Sequence, residues 1–86
     1  MTSPKRTLDK VMRGASDANI RFSDLRTLLL ALGFEERIRG SHRIFKRHDI
    51  DEILTLQPSG SQAKSYQVKQ VRRLIDTYRL ASYGDE

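Results

Sequence analysis

Eighty-six residues, 31% of them charged and 37% hydrophobic, point to one soluble globular unit with a modest core. The chain has no cysteine, which excludes disulfides and thiolate chemistry and fits a cytoplasmic setting; its longest apolar run, "LLLALGF", is far too short to cross a bilayer. A formal charge of +5 favours polyanionic partners, because each phosphate neutralised by Lys or Arg releases condensed counterions.

In chain order, Ser3 and Pro4 predict a helix opening, with a hydroxyl to cap and a proline whose missing N–H costs nothing in the first turn. Leu8, Val11, Met12 and Ala15 then form an apolar stripe, Gly14 offers a stop, and "ASDAN" reads as a polar loop. A second helix is expected to start at Ser23 and Asp24, to carry Leu25, Leu28, Leu29 and Leu32 on one face, and to stop at Gly33.

"FEERIRG" and "SHRIFKR" mix apolar and charged residues as strands do, and Gly40-Ser41 permits a tight turn between them, so an antiparallel hairpin is predicted. A turn at "HDID" leads to a third strand, "EILTLQP", closed by Pro58, followed by the loop "SGSQAKS". A closing helix from about Ser65 to Leu80 would place Val68, Val71, Leu74, Ile75 and Tyr78 inward, with Lys69, Arg72, Arg73 and Arg79 largely outward. The tail "SYGDE" is expected to fray. The predicted class is therefore α+β: a three-stranded antiparallel sheet with helices packed on one face and the other face open.

Alternation along Ser41–Arg47 puts His42, Ile44 and Lys46 on one side and Arg43, Phe45 and Arg47 on the other. If Phe45 enters the core, His42 and Lys46 share the outer face about 13 Å apart, four steps of roughly 3.3 Å. Histidine suits RNA cleavage: its ordinary pKa lies near neutrality, so it can take the proton of a 2′-hydroxyl or give one to the leaving 5′-oxygen, with no metal required. His48 lies about 20 Å away along an extended strand, too far to share one phosphate, and reads as a turn residue. Asp49, Asp51 and Glu52 read as solvated turn charges rather than metal ligands.

A leucine-patterned helix ending in "LGF", a strand, then "GSHRIF" opening a second strand, a third strand and a basic closing helix resemble the HicA toxins of bacterial HicA–HicB toxin–antitoxin systems. The resemblance runs from about Phe22 to Leu80. It implies a fold like the double-stranded-RNA-binding domain and a small messenger-RNA endonuclease that needs no cofactor. It also implies that His42 is the catalytic histidine and that the partner is a HicB-like antitoxin. On that reading Gly40 and Ser41 set the turn, Arg43, Lys46 and Arg47 meet RNA phosphates, and Lys69, Arg72 and Arg73 extend the RNA surface along the closing helix. Residues 1–21 are then a helical extension, expected to be a packing addition, residues 22–80 the core of a single domain, and 81–86 the tail.

Two alternatives belong to other classes. One is a non-catalytic RNA-binding module that reads A-form shape through backbone contacts. The other is a basic protein-binding module that docks on an acidic partner. Cleavage of RNA in the presence of chelator separates the first reading from both.

Overall fold

Ser3 opens the first helix as expected: its Oγ accepts the Arg6 N–H at 3.2 Å, Pro4 occupies the first turn, and α1 runs Pro4–Arg13. The structure, a computed structural model, describes residues 3–80; the expected fraying of Ser82–Glu86 lies outside them. Gly14 ends α1 at φ +71, a left-handed conformation that costs a residue without Cβ little. The polar loop that follows contains a short 3-10 turn, Asp17–Asn19, tied back when Lys10 Nζ donates to the Asn19 carbonyl at 2.9 Å. Ala15, counted above with the apolar stripe, falls beyond the helix and is exposed.

The second helix, α2, spans Phe22–Ala31, one turn position earlier than Ser23 and Asp24 suggested, with Arg21 before it and no side-chain cap. Its start is set by tertiary hydrogen bonds instead. The Phe22 N–H donates to the Ser61 carbonyl at 3.0 Å, and Arg21 forms a β-bridge with Gln62. The "SGSQAKS" loop thus carries local β structure where sequence suggested none.

Strand β1 is Glu35–Arg39, β2 is His42–Arg47 and β3 is Ile50–Leu56, antiparallel in the order β1-β2-β3. The β2–β3 turn is shorter than the "HDID" reading: only His48 and Asp49 turn, and Ile50 is already buried in the strand. Phe45 pairs with Glu36 on one side and Leu54 on the other. Beyond that row the β2–β3 register shifts, with Arg47 opposite Ile50, so β3 bulges across Lys46. The closing helix α3 runs Ser65–Thr77, and residues 78–80 complete it as turn.

Phe45, Leu54 and Leu56 face the helices in one core with Leu25, Leu28 and Leu29 of α2 and Val68, Val71, Leu74 and Ile75 of α3. Tyr78 packs against this core partly buried, and Leu8 and Val11 bring α1 into the same cluster. The chain is therefore α+β, with helices on one face of a three-stranded antiparallel sheet. Among the described residues no helix is long and apolar enough to cross a membrane.

Candidate active site

The hairpin corner begins at Gly40, whose φ of +58 matches the first central position of a type II′ turn, the geometry that suits the twist of two paired strands. Among the described residues nothing lies within 4 Å of where a Cβ would stand there, so the glycine serves backbone conformation rather than close packing. Two residues later the chain enters β2 with His42, which is exposed.

Phe45 is completely buried, and strand alternation then sends His42, Ile44 and Lys46 to the opposite, open face. Paired residues share a face, so the register adds neighbours that spacing alone did not single out. Arg39 lies directly across from His42, Arg37 across from Ile44 and Glu35 across from Lys46. Directly opposed residues stand about 4.5–5.5 Å apart at Cα, which puts the Arg39 guanidinium within reach of anything bound at the His42 imidazole. Arg37, Arg39, His42 and Lys46 thus form a basic tract on one side of the sheet, with the exposed Glu35 beside Lys46 at its far end and Ile53, 59% exposed, on the same face.

Arg39 was not among the candidates above, although "RGSH" contains it. A two-residue turn makes the residue before it and the residue after it partners, and that rule would have found it. His48 sits in the β2–β3 turn, away from this tract. Among the described residues, no three His, Asp or Glu side chains gather as a metal-binding group. Asp49 instead accepts from Arg47 Nε at 2.9 Å.

The remaining candidates lie elsewhere. Arg43 and Arg47 point to the helix face. Arg43 donates to Glu36 Oε2 at 3.0 Å and stacks 5.9 Å from the centroid of the Phe22 ring, while Glu36, 9% exposed, also takes both oxygens to Arg26 Nε at 2.8 and 2.9 Å. Lys69, Arg72 and Arg73 ride on α3, behind the sheet from His42. Lys69 and Arg73 are exposed, with Arg73 a loose 3.9 Å from Glu52.

Arg72 is not the largely outward residue that the helical pattern suggested. Its guanidinium is held by Asp17 at 2.8 and 3.1 Å and donates to the Val11 carbonyl at 3.0 Å. The hydrogen bonds from Arg72, more than its charge, hold the Asp17 carboxyl below the ordinary carboxylate value, against the opposing effect of burial. Asp17 in turn raises the Arg72 pKa, so the pair stays ionised. A phosphate would have to displace Asp17 to reach it.

Gly40, Ser41, His42 and Lys46 therefore share the corner and the open face, while the other five candidates are turned to the helix side or lie on α3. Searches of curated proteins and of solved structures gave no match. The sequence profile of the family described as HicA toxin of bacterial toxin-antitoxin matches residues 22–77, from the first residue of α2 to the last of α3. With well over half of its length so matched, the chain belongs to the HicA toxin family of bacterial toxin–antitoxin systems.

Proposed function

We propose that this toxin is an endoribonuclease that cleaves messenger RNA, with His42 as its acid–base group on the open face of the sheet. The observation that supports this most is the position of that imidazole: exposed, at a hairpin corner, opposite Arg39 and on the same face as Lys46. The reaction forms a bond between the 2′-oxygen and phosphorus and breaks the bond from phosphorus to the 5′-oxygen. His42 takes the 2′-hydroxyl proton, and the imidazolium so formed holds the proton that the departing 5′-oxygen needs.

Charge builds on the non-bridging oxygens as the fifth bond forms. Arg39 offers paired N–H donors at that point, and Lys46 contributes a point charge further along the strand face. The sequence of steps uses no metal ion. Arg37 extends the track for the flanking phosphates, and Lys69 and Arg73, on the far side, serve RNA only if the strand wraps around the molecule.

As the toxin of a toxin–antitoxin system it has an antitoxin partner, and we take this to be an acidic HicB-like protein that covers the basic tract and masks His42. The test is a gel: long single-stranded RNA incubated in chelator with the wild type and with His42→Ala. Cleavage by the wild type alone supports the reading. Equal cleavage by both removes His42 from the chemistry, and RNA retarded but intact with both leaves a binding module.

A further inference from the structure

One end of the open face is held by hydrogen bonds that originate in α3. Gln67, in the first turn of that helix, is 3% exposed, a burial that a primary amide tolerates only when both its ends are paired. With its amide turned to suit, the side-chain NH2 donates to the Gln57 carbonyl at 3.1 Å, and its oxygen accepts the Gln57 N–H at 3.2 Å. Gln67 therefore pairs with the main chain just past β3 as a further strand would, and fixes where residue 57 stands.

The side chain of Gln57 then reaches the corner just before β2: its Nε2 donates to Ser41 Oγ at 3.3 Å. Register explains why. Arg43 pairs with Leu56, so the next row places residue 57 beside His42, and β3 ends there without a main-chain pair of its own. On its β1 side His42 has Arg39; on its β3 side, one row beyond the Arg43–Leu56 pair, stands Gln57.

We propose that Gln57 is a positioning residue for His42: anchored by Gln67, it holds Ser41 and thereby fixes the corner from which the imidazole projects. This rests on the nuclease reading for its catalytic consequence. A misplacement of about 1 Å in a reacting group can lower a rate by roughly a hundredfold, so a contact that fixes the corner bears on kcat. Gln57→Leu keeps the anchor, because Gln67 bonds to the main chain of residue 57 and not to its side chain, so the variant folds.

The experiment compares wild type, Gln57→Leu, Ser41→Ala, the double variant and Gln57→Glu in steady-state cleavage of a fluorescent RNA oligonucleotide. It also measures the 15N heteronuclear NOE of the Ser41 and His42 amides. Gln57→Leu should lower kcat about ten- to a hundredfold with KM within twofold of wild type. Ser41→Ala should do the same, and the double variant should be no worse than either, because both remove one contact.

Gln57→Glu should recover kcat, since the Ser41 hydroxyl donates to a carboxylate, and should raise KM by repelling RNA. The NOE at Ser41 and His42 should fall in Gln57→Leu and return in Gln57→Glu. A Gln57→Leu variant with kcat and NOE both at wild type overturns the proposal while the nuclease reading stands. If wild type cleaves no RNA, the nuclease reading fails by itself, and the NOE alone then decides whether Gln57 holds the corner.

Discussion

His42 is exposed and, among the described residues, its side chain makes no hydrogen bond, so replacing it removes little packing and, on the proposed reading, the acid–base group. His42→Ala should abolish RNA cleavage while thermal stability stays within about 0.5 kcal/mol of wild type, as for surface substitutions generally. Calorimetry or a thermal melt beside the cleavage gel checks both halves. The basic residues separate in the same way. Arg39→Ala and Lys46→Ala should each lower the slope of log affinity for single-stranded RNA against log salt by about 0.7, one phosphate contact apiece. Arg43→Ala should leave that slope unchanged, because its guanidinium is spent on Glu36 and the Phe22 ring. A slope that drops for Arg43 and not for Arg39 would place the RNA on the helix side of the sheet.

At the scale of elements, α1 and the 3-10 turn after it are joined to the rest by the buried Leu8, Val11 and Ile20 and by Arg72, which donates to the Val11 carbonyl and clasps Asp17. Gly14 belongs to that clasp: a Cβ there would stand 3.1 Å from Arg72 Nη1, at a φ that disfavours side chains in any case. Asp17→Asn should cost about 1.5–3 kcal/mol, the range for a hydrogen bond to a charged group. Its pH dependence follows from the lowered carboxyl pKa. A depressed folded-state value means the contribution is complete above the ordinary value of 3.8 and is lost as pH falls through the lowered one. The gap in melting temperature between wild type and Asp17→Asn should therefore be constant near neutrality and close in strong acid. A gap that instead widens below pH 4 would show that the clasp does not set the carboxyl's pKa.

Among the candidate residues the exposed positive charge lies on two faces, Arg37, Arg39 and Lys46 beside His42 on the sheet and Lys69 and Arg73 behind it, while Lys5, Arg6 and Arg13 add exposed bases along α1. An acidic antitoxin that inhibits by occlusion meets the first. Hydrogen exchange on the toxin–antitoxin complex should slow at residues 39–47, and RNA should compete with the antitoxin in a salt-sensitive way. Protection confined to residues 7–14, with RNA still bound in the complex, would instead make α1 the docking element and inhibition indirect. Residues 3–21, which the family profile does not cover, provide α1 and the 3-10 turn, and they share the core of the matched part through Leu8, Val11 and Ile20.

The amino-acid sequence by itself determined the order of elements, the leucine face of α2, the Gly40-Ser41 turn and the side of the strand on which His42 and Lys46 stand. Each of these is a local period or a local turn preference, carried by residues within a few positions of one another. Only the tertiary structure decided which basic side chains remain available. Arg43 is engaged by a carboxylate on the neighbouring strand, and Arg72 by partners 55 and 61 residues away, so no helical period could have removed them from the list of RNA contacts. The start of α2 likewise answers to Ser61 and Gln62 rather than to its own first turn. Arg39 and Gln57 became neighbours of His42 through register, a property of three strands together, and Gln67 became the anchor because burial forces an amide to pair with whatever main chain lies beside it.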